Sequence, residues 1–274
     1  MDEFETYLRD YPRAMSAIRD DLRRTTRIAL LDQLLIKLMF CVEARRLTYP
    51  PGEPGEVAKE MIAKLTQETF AFIGCMNFGS VVGAYTHIRS IHELQAAWHY
   101  VFHDPATVNQ RSRRWREWPR VEAYFLYRRT QLDVAAGDVE PAELDRVVAL
   151  APWVVHVGPT DLAEWFQIYQ KDFSKKHSPG VWHEGTISDR IRAVDTGVDY
   201  HTVSHAPHAS PVGHRLAGER LKLVGWDPGS QTLAVEVALG ALLQTIVRIS
   251  ESCGGVLLQF VDAEYTTFMR ADGP

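Results

Sequence analysis

Cysteine is scarce and scattered in this chain: Cys41, Cys75 and Cys253 are far apart and form no C-x-x-C pair. An odd, sparse set argues against a disulfide framework and fits a reducing compartment. Each lies among apolar residues, as a small buried hydrophobe does. Long apolar runs are also missing, and no stretch reaches the ~18 uninterrupted apolar residues of a membrane span. The acidic start, Met1-Asp-Glu-Phe-Glu5, lacks the apolar core of a secretory signal. A soluble, cytoplasmic protein with no membrane partner is therefore expected. Nor does charge of one sign dominate, with 30 basic against 35 acidic residues and a net charge of −5. Nothing draws the whole chain to nucleic acid, so any such partner must use a local patch.

What is present suits a globular protein. An apolar fraction of 46% can bury a real core, and 274 residues fit one large domain. Apolar residues recur at helical spacing from Pro12 to Arg46, as one long helix or two joined end to end. Tyr49-Pro-Pro-Gly-Glu-Pro-Gly55 stops that arm. Helical pattern returns over Glu56–Leu65 and Glu68–His103, with a break expected near Asn77-Phe-Gly. Val121–Ala135, a start at Glu140-Pro141, and Thr160–Phe173 follow. Ser188–His205 and Val256–Met269 complete the helices. Leu221–Trp226 and Leu233–Val237 leave room for a short β-hairpin near 221–237, around Asp227-Pro-Gly. A longer helix over Ala234–Ser250 is the better reading, because that apolar run is too long for a strand. Strand-type alternation is scarce elsewhere. The reading is an all-α multi-helix bundle in one domain over 1–274, with an N-terminal helical arm over 1–50 and the motif-bearing bundle over 56–270.

Recognised catalytic signatures are absent too. There is no G-x-S-x-G elbow, no H-E-x-x-H, and no arginine followed by histidine at R-x(4–6)-H spacing. The eleven histidines nevertheless cluster, four over His87–His103 and six over His177–His214. Histidine titrates near neutrality and binds metals, so clustering points to a site. His201 and His205 are four apart, yet no complete ligand set accompanies them. No metal is assigned and no cofactor is specified.

Two segments carry the best candidates. Arg89 and Glu93 are four apart on one helix face and can pair, with Tyr100 seven residues on. In Asp199–Pro211, Tyr200 and Ser204 share a face of a helix that Pro207 ends. His208 then follows in the exit loop, able to fold back toward Ser204. A serine–histidine pair is chemically competent only if a third group orients the imidazole. The plainer readings are a satisfied helix hydroxyl and a histidine capping the helix end. A third feature, Arg111–Arg129, interleaves arginines with Trp115 and Trp118, a pattern that can bind nucleic acid. Glu117 and Glu122 dilute it, which favours a basic solvated helix with its tryptophans packed inward.

Arg89-Ser90-x-x-Glu93, Tyr100 and Asp104-Pro105, together with Trp182, Ile187–Val194, Tyr200, Ser204, His208 and Ser210, resemble a bacterial family known as a domain of unknown function. That family carries Arg-Ser-x-x-Glu and Tyr-x-x-x-Ser-x-x-x-His-x-Ser motifs. The similarity covers about Thr86–Pro211, and His201, His205 and His214 depart from the pattern. The resemblance implies a helical fold and a polar centre shared by the two motif helices, and it implies no activity. The leading expectation is a polar pocket for a small anionic or nucleotide-like ligand. In it Arg89, Tyr200 and Ser210 bind while His208, Ser204 and Glu93 are the catalytic candidates; whether the protein is an enzyme stays open. The alternatives are a nucleic-acid-binding or toxin-like defence protein using Arg111–Arg129, and a structural or interaction module without a site.

Overall fold

A computed structural model of the chain describes residues 3–176, 182, 190–191, 193–194, 228–254, 257–259, 261–262 and 266. The described part is 82% helical with no strand, so the fold is all-α. Its residues group into two compact units, Met1–Pro105 with Ile187–Pro274, and Ala106–Thr186.

In the first unit the N-terminal arm is two helices, α1 (Glu3–Thr25) and α2 (Ile28–Glu43). Thr26 makes the joint: its hydroxyl donates to the Leu22 carbonyl at 2.7 Å and accepts from the Ile28 N–H at 3.3 Å. α1 runs through Pro12, although proline removes a backbone hydrogen bond there. α3 spans Glu53–Asn77 without interruption, with Pro54 in its first turn. The gap expected after Leu65 is bridged by packing: Leu65, Thr69 and Phe72 are buried on one side of the helix, and the Thr66 and Thr69 hydroxyls are satisfied by the Ile62 and Leu65 carbonyls. The break at Asn77-Phe-Gly is real. Gly79 takes a left-handed φ of 66°, and α4 (Val81–Phe102) begins just beyond.

Of the two readings near 221–237, the helix preferred over Ala234–Ser250 is the one that forms, and the hairpin alternative is corrected over 228–237. Its second half belongs to a long helix, α8 (Pro228–Cys253), and 221–227 lies outside the described residues. Leu233–Val237 continues into an apolar run with helical period, which packing against other helices stabilises in place of a two-stranded ladder. α3 packs most extensively on α4, and α4 next on α8. With α2 added, Leu34, Leu38, Phe72, Ile88, Trp98, Leu242 and Ile246 are among the buried side chains of these helices. Each contributes roughly 1.5–3 kcal/mol by leaving water. Gln231–Cys253 is long and apolar enough to cross a membrane, but 61% of that stretch is buried within the protein. A core helix has the same character.

The second unit contains α5 (Val108–Ala136), α6 (Pro141–Leu150), a 3₁₀ turn over Pro152–His156, and α7 (Pro159–Tyr169). α5 passes through Pro119 and stops at Gly137, whose φ is 77°. Asp161 accepts the Gly158 N–H at 2.9 Å and caps α7. Tyr124, Trp165, Tyr169 and Phe173 fill an aromatic core with Val121 and Val154. The Tyr124 and Phe173 rings meet edge-on at 5.1 Å.

Candidate functional site

α4 is buried on most sides, yet one face of it is polar. At 100° per residue, Tyr85, Arg89, His92, Ala96, His99 and Tyr100 fall within a narrow sector. Ile91, Leu94, Trp98 and Val101 occupy the opposite side and are buried. Arg89 donates from Nε to Glu93 Oε1 at 2.9 Å, and the two side chains are 34% and 38% exposed. The pair expected from the spacing therefore forms, at a half-buried edge open to solvent. Tyr100 is buried close by on the helix.

Between the polar and the apolar side, α4 meets α8. Gln95 donates to Gln244 at 2.6 Å, and Arg248 donates to His99 Nδ1 at 2.8 Å. Partner numbers rise together, so the two helices run parallel there. Arginine can only donate, which leaves the His99 ring proton on Nε2. Ala96 is covered from another direction by Ile191 and Val194, and Arg190 beside them is buried.

His92 lies one turn before Ala96 and is only 1% exposed. Among the described residues neither of its ring nitrogens has a hydrogen-bond partner. Gln95 is near enough to favour the imidazolium without reaching bonding geometry. Burial outweighs it and holds the pKa down to about 4, so the ring is neutral at physiological pH. Sequence reasoning passed over His92; the histidine cluster was the available signal, but spacing alone does not separate a core histidine from a surface one. Its neighbours differ: His87 Nδ1 lies 2.7 Å from Glu68 Oε2, and His103 is exposed with its ring tilted against that of His99 at 4.8 Å.

Tyr200, Ser204, His208 and Ser210 lie outside the described residues, as do His201, His205 and His214. Among the described residues no group of three or more histidine, cysteine or acidic side chains could hold a metal ion.

No known protein family, curated protein or solved structure matches this chain. Its chemistry must be read from its own residues.

The arginine-rich stretch is part of α5, and its cations are largely committed. Arg113 pairs with Glu117 at 2.8 Å and Glu164 at 3.4 Å, and Arg129 lies 3.8 Å from Asp133. Arg120 stacks over the Trp153 ring at 5.1 Å. Trp115 meets Trp182 edge-on at 4.8 Å, and Trp118 contacts Tyr169 at 5.4 Å. These tryptophan rings are packed against protein and not presented as a free stacking ladder.

A feature with no sequence signature lies elsewhere in the first unit. A cleft of about 190 Å³ opens among α1, α2 and α3, lined by Arg23, Asp32, Gln33 and Asn77 with Ile28 and Ile73.

Proposed function

We propose that the polar face of α4 forms one wall of a pocket for a small anionic or nucleotide-like ligand. The reading rests chiefly on one observation: Ile191 and Val194, which lead into Tyr200–Ser210, pack on Ala96 of the helix that carries Arg89 and Glu93. Arg89 supplies positive charge for the anionic group. Glu93 orients Arg89 or His208, Tyr200 and Ser210 contribute hydroxyls, and His208 with Ser204 handles proton transfer if the ligand is a substrate. Arginine suits this role because its fork matches carboxylate and phosphate oxygens in two parallel bonds.

The test is calorimetric titration of the purified protein with inorganic phosphate, a sugar phosphate and nucleoside monophosphates. Arg89→Ala and His208→Ala should each weaken binding about tenfold or more, since a hydrogen bond to a charged group contributes about 1.5–3 kcal/mol. The Arg89–Glu93 pair itself stabilises the fold by only about 0.3–0.5 kcal/mol at this exposure. Circular dichroism of Arg89→Ala separates lost binding from lost fold. No binding to any of these anions, or full affinity in Arg89→Ala, overturns the reading. The α5 arginines offer less support for nucleic-acid binding, because glutamates and Trp153 already engage several of them.

A further inference from the structure

The cleft among α1, α2 and α3 is chemically two-sided. Arg23 comes from the last turn of α1, and Asp32 from the second turn of α2. Opposite charges that line one cleft would ordinarily close on each other, yet among the described residues neither makes an ion pair. The helix ends add to this polarity. Ile28 marks the N-terminus of α2, and Asn77 is the last residue of α3. An anion is favoured at the first end and a cation at the second. Gln33 and Asn77 offer amide donors and acceptors, while Ile28 and Ile73 supply buried apolar wall.

We infer that this cleft binds a small zwitterion, a free α-amino acid with an aliphatic side chain. Its carboxylate meets Arg23 at the start of α2, and its ammonium meets Asp32 at the end of α3. The aliphatic side chain rests on Ile28 and Ile73. A volume of about 190 Å³ admits one such molecule, and the lining comes from α1, α2 and α3 alone, so this site is independent of the α4 face.

The experiment titrates the full chain with leucine, with its decarboxylated analogue isoamylamine, and with its deaminated analogue 4-methylvalerate, by calorimetry or ligand-observed NMR. Leucine should bind, and each analogue should bind at least tenfold more weakly for want of one charged contact. Arg23→Gln should erase the preference for leucine over isoamylamine. Asp32→Asn should erase the preference over 4-methylvalerate. Arg23 is exposed and Asp32 half-buried, so circular dichroism and melting should stay close to those of the parent protein. Absence of leucine binding, equal binding of all three compounds, or unchanged preference in both variants overturns the assignment.

Discussion

His92 makes stability depend on pH in a way that a single substitution isolates. In the folded protein burial holds its pKa to about 4, against an ordinary histidine value of 6.5. Between those values the unfolded chain takes up a proton that the folded protein refuses. Stability therefore falls as pH drops from about 6.5 to about 4, and the loss levels off once both states are protonated. The gap corresponds to about 3 kcal/mol in full, and to about 2 kcal/mol by pH 5. Other groups titrate over the same range, so the useful quantity is the difference between wild type and His92→Leu. Urea unfolding followed by circular dichroism at pH 7.5, 6, 5 and 4.5 measures it. At pH 7.5 the leucine variant should equal or exceed wild type, because an apolar side chain replaces a buried group without hydrogen bonds. Its advantage should grow by about 2 kcal/mol on going to pH 5. A constant difference across the series would refute the reasoning, since it would mean the imidazole reaches water or finds a partner.

Two further substitutions probe packing. Leu34→Ala should cost roughly 2–5 kcal/mol, whereas Ile36→Ala, two residues along α2 but 58% exposed, should stay within about 0.5 kcal/mol in the same urea assay. Gly83→Ala should destabilise by about 1–2 kcal/mol, because the new methyl would lie 2.7 Å from Cys75 Sγ and 2.9 Å from Ser80 Oγ. Combining it with Cys75→Ala should recover most of that loss, and a double-mutant cycle with no coupling would show the contact to be unimportant.

Much of the helical layout was legible because glycine and proline act locally. Gly137 ends α5, Pro141 opens α6, and Phe78-Gly79 separates α3 from α4. The same rules misled where tertiary packing outweighed them. Pro12 and Pro119 lie inside helices, and Leu233–Val237 is helical where a strand was entertained. The Arg89–Glu93 pair followed from spacing alone. The isolation of His92 did not, because it depends on which helices enclose α4. Nor did the Arg23–Asp32 cleft, whose residues come from separate helices and share no motif.

The pairing of α4 with α8 also has a temporal side. Gln95 and Gln244 are 149 residues apart, and the whole of Ala106–Thr186 lies between the two helices in sequence. At about 5–20 residues per second, a ribosome emits α4 roughly 7–30 s before its partner. α3 and α4 can join early, but the side of α4 that receives α8 must wait uncovered. The intervening unit, contiguous in sequence, is free to fold during that interval. The first unit thus reaches its native core only once α8 has been made, and a stall before α8 would leave Gln95, Trp98 and their neighbours in need of a chaperone.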